Sequence, residues 1–228
     1  MTELKEKRTE PGEFHPEWFR KTVIEAFKND PMRIIIELIK NSADSYTRLQ
    51  KKGVAKPPFK IFVKIRCKRK SPPYIEVLDH AEGMDSKKLK EALKYGTQTS
   101  MGEDIEAVTS AEKGIGLKDA MMALKDNWLV TIKDGLINER KKHLDFKTGF
   151  GREDEKVTQL DRNRWGIPEN GTVVIGELPP YFHERKYHSI YEKLQKHFLL
   201  RKLLQNPDYE IYVIDLLKGE RRLLKYYT

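Results

Sequence analysis

Hydrophobic positions in the chain change their period several times, and each change marks an element. From Pro31 to Gln50 the sequence PMRIIIELIKNSADSYTRLQ repeats near 3.6. At about 100° per residue, Ile34, Ile35, Leu38, Ile39, Ala43, Tyr46 and Leu49 gather on one broad side of a helix. Pro31 suits its first turn, where a missing N–H costs nothing. Glu37, Asn41 and Asp44 fall together on the opposite side, at i, i+4 and i+7. A short helix over 18–27 precedes it, and Gly53 with Pro57 and Pro58 ends it.

From 59 to 68 the period drops to two. Ile61, Val63, Ile65 and Cys67 point one way, and Lys64, Arg66 and Lys68 the other. Ser71, Pro72 and Pro73 turn the chain into a second strand over 74–78, which completes a hairpin. A helix is predicted over 86–94 with Ser86 as its cap, and another over 116–124. Strands are expected over 128–133, 136–146, 172–178 and 209–216, with a helix over 187–204. Residues 149–170 are charged and carry no period. Residues 1–14 read as a mobile arm before a single domain over 15–228. Strands and helices mix without a βαβ rhythm, which predicts an α+β fold with a mostly antiparallel sheet.

Composition narrows the classes. The chain has 228 residues, enough for one substantial core. No run approaches the roughly 18 apolar residues of a membrane span, and the polar opening is not a signal peptide. The single cysteine, Cys67, excludes a disulfide framework and a cysteine zinc site. A cytoplasmic or nuclear protein is expected. The net charge of +9 attracts polyanions, but 35 acidic residues lie among 44 basic ones, so nucleic-acid binding stays open. The Lys64, Arg66 and Lys68 row fits a solvated strand face better than a phosphate grip.

Four short motifs carry the chemistry. The helix stripe offers a carboxylate, Glu37, and a carboxamide, Asn41, one turn apart. Asp79 ends the second strand, and Gly83 and Met84 follow it in DHAEGM. A carboxylate there can accept a hydrogen bond from an exocyclic amine, and the glycine lets backbone come close to a flat ligand. Gly114-Ile-Gly116-Leu117-Lys118 runs into a helix, where backbone N–H groups and the helix dipole favour an anion. Asn170-Gly171-Thr172 opens a strand with a hydroxyl that can reach a ligand amine or a water. The Walker pattern is absent, and Asp119 stands where the last glycine of a dinucleotide fingerprint would be. His183, Glu184 and His188 miss the H-E-x-x-H spacing of zinc proteases.

E-x-x-x-N, D-x-x-x-G-M, G-x-G-L-K and G-T occur in one order, with a polar loop over 96–113 before the third. This order resembles the GHKL ATPases: gyrase, the ninety-kilodalton heat-shock chaperone, histidine kinases and MutL proteins. ELIKNSADS is similar to the chaperone, MutL, type II topoisomerase and MORC branch. The resemblance implies a two-layer α/β sandwich, the Bergerat fold, with an ATP lid over 96–113. It implies Glu37 as the general base on the attacking water and Asn41 as the Mg²⁺ ligand. It implies Asp79 on the adenine amine, with Thr172, Gly83 and Met84 beside the base. Gly114, Gly116, Leu117 and Lys118 would hold the phosphates, and Asp44 would be structural. The implied activity is Mg-dependent ATP hydrolysis in an ATP-driven dimer switch, with DNA, chromatin or a protein client as the object. The family draws a catalytic lysine from a following domain that the residues up to Thr228 do not provide, so slow turnover is expected. A histidine-kinase-type catalytic domain and a nucleotide-gated binding module remain the alternatives.

Overall fold

The computed structural model describes residues 16–93, 116–141 and 150–227. The expected arm over 1–14, the expected lid over 96–113 and Gly114 lie outside the described residues. One eight-stranded sheet organises the rest, in the order β5-β4-β3-β6-β2-β1-β7-β8. Its strands are β1 Phe59–Arg66, β2 Tyr74–Asp79, β3 Lys125–Lys133, β4 Leu136–Lys141, β5 Phe150–Lys156, β6 Gly171–Glu177, β7 Tyr209–Asp215 and β8 Glu220–Leu223. Every pairing is antiparallel except β1 with β7. The expected α+β sandwich with a mostly antiparallel sheet is therefore the observed one.

Helices α1 Pro16–Lys28, α2 Arg33–Lys51, α3 Ser86–Leu93, α4 Gly116–Ala123, α6 Tyr187–Lys196 and α7 Arg201–Gln205 contribute to one layer. The alternation in β1 explains why. Phe59, Ile61, Val63 and Ile65 are all buried, and they join Ile75, Val77, Ile211 and Val213 under the apolar side of α2. That helix is more enclosed than its stripe predicts. Ile36 is fully buried, and among polar residues Lys40, Ser42 and Thr47 are buried almost as well.

Four local expectations are corrected. The charged run over 149–170 contains β5 and a helix, α5 Gln159–Trp165. A capping box closes the helix start: Thr158 Oγ1 accepts from Asp161 N, and the Asp161 carboxylate accepts from Thr158 N. Trp165 and Ile167 then cover Leu78, Val130, Ile132, Val173 and Ile175 on the sheet's other face, a second small core. The expected helix over 187–204 is interrupted at His197, whose backbone turns extended and whose Nδ1 accepts from Leu199 N. A short strand, β8, follows β7. Finally, Asp85 rather than Ser86 caps α3, accepting from Lys88 N at 2.8 Å.

Candidate functional site

Asp79 ends β2, with Ile61 of β1 on one side and Thr172 of β6 on the other. It is only 4% exposed. Its carboxylate accepts from Ser42 Oγ of α2 at 2.8 Å, from Ala81 N at 3.0 Å and from Thr172 N. Burial outweighs these donors and pushes the carboxyl up to about 6. The cost of the buried charge makes Asp79 more basic than an ordinary aspartate, and a further donor from a ligand would be welcome.

Three strands meet beside it. Thr172 pairs with Asp79 on β2 and with Thr131 on β3. Thr131 is fully buried; its hydroxyl donates to Gly171 O at 3.1 Å and accepts from Met84 N at 2.7 Å. The Thr131 and Thr172 hydroxyls lie 3.2 Å apart. Gly83 has φ +65°, and a Cβ there would overlap the Ile132 carbonyl oxygen. The close approach that this glycine makes in the structure is thus to β3 itself, which seats Met84 on Thr131. A Cβ on Gly171 would likewise overlap the Asp79 carbonyl oxygen, so the glycine lets β6 begin against the end of β2.

The loop carrying Gly83 is clasped from outside. Glu82 accepts from Lys88 of α3 at 2.5 Å and from Lys52, at the end of α2, at 3.0 Å, with Arg48 at 3.5 Å. Burial works against the charge, but the two lysines outweigh it and hold the carboxyl at about 2.

The first half of α2 carries Glu37 and Asn41. Asn41 Nδ2 donates to Glu37 O at 2.6 Å, so its side-chain oxygen is not used in that bond. The sequence places no base at i+4 from Glu37 and so predicts an unpaired carboxylate. The structure corrects this: Lys40 Nζ lies 3.4 Å and 3.5 Å from the two carboxylate oxygens, and Arg33 Nη2 lies 3.9 Å from one of them. Gly116, the first residue of α4, packs on the same group, because a Cβ there would stand 2.6 Å from Glu37 Oε2. Leu117 packs against the main core. Lys118 is 2% exposed, and burial pulls its ammonium down. Asp119 is lifted to about 7, by burial and then by the charge of Glu37, and its Oδ1 has no hydrogen-bond partner.

The structure thus gathers Asp79, Thr172, Gly83 and Met84 into one group, held to the middle of α2 through Ser42, and Glu37, Asn41 and Gly116 into another along the first half of the helix. Ser42 and Thr131, in the first group, and Lys40 and Asp119, in the second, are further polar groups that the motifs did not name. Elsewhere the sequence's side candidates are occupied within the chain. Glu184 binds Ser189 and Lys193, and Lys64 binds Glu76 at 3.1 Å. Arg66 lies over the Tyr74 ring, and Trp128 and Trp165 pack edge to face at 4.9 Å. Among the described residues no group of three His, Cys, Asp or Glu is set to hold a metal, and no helix is long and apolar enough to cross a membrane.

A search of curated proteins finds no match to the chain. A family model does match, over residues 30–168, a span that holds Glu37, Asn41, Asp79, Gly83 and Gly116 and stops just short of Thr172. That span exceeds half of the chain, and with the fold it places the protein in the histidine kinase-, DNA gyrase B- and HSP90-like ATPase family.

Proposed function

We propose that the protein binds ATP along α2 and hydrolyses it, using the nucleotide as a conformational switch. One observation carries the reading. Neighbouring residues of one helix serve both ends: Ser42 holds the Asp79 carboxylate, while Asn41 is fastened to Glu37. In this reading Asp79 takes the adenine amine, Thr172 and a water complete that contact, and Gly83 and Met84 border the base. Gly114, Gly116, Leu117 and Lys118 hold the phosphates under a lid over 96–113.

Mg²⁺ fits the donors present. Its preference is for hard oxygens, few of them from protein, with substrate phosphates supplying others. Asn41 offers one side-chain oxygen, its nitrogen being spent on Glu37 O. When bound, the ion would offset negative charge on the phosphates. Glu37 orients a water and accepts its proton as the water oxygen bonds to the terminal phosphorus; ADP departs with the electron pair of the broken bond.

Closure over ATP would promote a homodimer and hydrolysis would reset it, as in the chaperone, MutL, topoisomerase and MORC branch that ELIKNSADS resembles. DNA, chromatin or a protein client is the proposed object of the switch. A second reading is favoured by the cations on Glu37. Lys40 and Arg33 stand against its carboxylate, where an attacking water would have to be received, which suits a nucleotide-gated binding module of negligible turnover.

Glu37→Gln separates the readings. Removing a general base costs about 10²–10⁴-fold in rate, while ground-state contacts with ATP remain. The variant is expected to bind ATP as the wild type does, release almost no phosphate, and accumulate as an ATP-bound dimer by light scattering. Turnover equal to wild type would remove Glu37 from the mechanism. A monomeric, inactive ATP complex would keep the base and reject the dimer.

A further inference from the structure

Lys40 is the oddest residue on α2. Lysines on helices normally keep their ammonium in water, with the carbon stem laid along the surface. This side chain is only 9% exposed, on the stripe that carries Glu37 and Asn41. Burying an ammonium is costly unless it is closely paired and its donors are used. Here the pairing is loose. Its contacts with Glu37, at 3.4 Å and 3.5 Å, are well beyond the roughly 2.7–2.9 Å of a charge-assisted N–H···O bond. Three donors therefore face one carboxylate at long range.

The surroundings are unfinished in a matching way. Arg33 approaches the same carboxylate from the preceding turn, so Glu37 keeps a cation if Lys40 moves. Gly116 brings the first turn of α4 against Glu37, with N–H groups at a helix start that favour an anion. A nearly buried ammonium with donors to spare, beside a helix start, is built to receive an anion with several acceptor oxygens.

We infer that Lys40 is the cation this chain supplies in cis to the terminal phosphate of the nucleotide, exchanging Glu37 for phosphate oxygen when ATP arrives. The inference rests on the ATP-hydrolysis reading and extends it. It also gives the loose pair a purpose. Before ATP arrives, the ammonium stands against the Glu37 carboxylate. With the phosphate in place, it neutralises charge on the transferring group and frees Glu37 to take the water's proton.

The test compares wild type, Lys40→Met and Lys40→Arg in the full chain. ATP and ADP affinities are measured by calorimetry with Mg²⁺, and phosphate release at saturating ATP. The terminal phosphate is the only difference between the ligands, so ADP affinity doubles as a control for folding. Lys40→Met is expected to weaken ATP tenfold or more, leave ADP within twofold, and lower kcat by about 10²-fold, the scale of losing one charge-stabilising donor. Lys40→Arg keeps the charge and should restore the ATP-over-ADP preference to within a few-fold. Should Lys40→Met not fold, the arginine variant still decides: loss of that preference with charge retained would overturn the inference. An unchanged preference together with unchanged or faster turnover in Lys40→Met would reduce Lys40 to a helix ion pair. A wild type that binds neither nucleotide would overturn the ATP reading and this inference together.

Discussion

Asp79→Asn separates what the carboxylate does for the nucleotide from what it costs the fold. The side chain is 4% exposed and its carboxyl is lifted from 3.8 to about 6 by burial. At about 1.4 kcal/mol per pH unit, the charged form is disfavoured in the folded protein by roughly 3 kcal/mol. The folded state therefore holds a proton that the unfolded chain releases as pH rises from about 4 to about 6. The contribution to stability is present below the lower value, falls as pH rises through that window and is absent above it. Asparagine cannot ionise, so the variant loses this pH dependence. Its oxygen can still accept from Ala81 N and Thr172 N, and the Ser42 hydroxyl can reverse to accept from the new amide. With about 1 kcal/mol charged for a poorer hydrogen bond, the variant should be up to ~2 kcal/mol more stable at pH 8. ATP affinity should move the other way. Losing a buried charge-assisted hydrogen bond costs about 1.5–3 kcal/mol, ten- to a hundredfold, and the new amide would face the adenine amine donor to donor. Urea unfolding at pH 4, 5, 6 and 8, with calorimetric titration of ATP at pH 8, measures both. The reasoning fails if the variant keeps the wild-type slope between pH 4 and 6, or if it binds ATP as tightly as wild type. In the wild type itself, ATP affinity should decline as pH drops below about 6.

Gly83→Ala should cost ~3 kcal/mol or more, because a strained left-handed residue and an overlap with Ile132 O act together; a thermal midpoint within 2 °C of wild type would contradict this. Thr131→Val keeps the shape but strips Met84 N of its acceptor, so about 1–3 kcal/mol is expected, read by denaturant unfolding. If Met84 borders the base, ATP should weaken in parallel.

How much of this was legible depended on whether a residue's burial followed its type. The apolar side of α2 and the alternation of β1 announce themselves, since Ile34, Ile39, Ile61 and Val63 are both hydrophobic and fully buried. Asp79 stood out for a different reason: alone it reads as an ordinary Asp/Gly turn, and the order of the four motifs singles it out. Ser42 and Thr131 did not, because a small hydroxyl reads equally well as surface or core. The run over 149–170 hid β5 and α5 because an exposed edge strand and a seven-residue helix burying one Trp give no period. Its signals were local instead: Thr158 with Asp161 three residues on, and Gly166 in the left-handed conformation that ends the helix. Nothing in the motifs marks Lys40, since a lysine on a helix ordinarily reads as surface. Likewise, no proline or glycine marks His197, where a ring nitrogen on Leu199 N breaks the helix.

The buried polar residues of α2 show why those misreadings cluster on one helix. Successive residues diverge by about 100°, so Asn41 and Ser42 face different neighbours from adjacent positions. Asn41 turns towards Glu37, and Ser42 towards the end of β2. One turn on, Tyr46 donates to Lys60 O of β1 and accepts from His80 N, both at 2.9 Å, so it pins the residue after Asp79. Thr47 lies 2.9 Å from the Tyr209 hydroxyl of β7. The helix is thus bolted by hydrogen bonds to three strands while its first half presents Glu37, Lys40 and Asn41. Hydrophobic residues at Lys40 and Ser42 would pack as well or better, since buried charge and half-used donors are seldom the stable choice. Sites that break a local rule without a gain in stability are where function is expected. On α2 the broken positions, Lys40 and Ser42, lie two residues apart, one beside each proposed end of the nucleotide. The bolts at Ser42, Tyr46 and Thr47 hold α2 to the sheet, so in the proposed switch closure would come from what faces α2 and not from α2 itself.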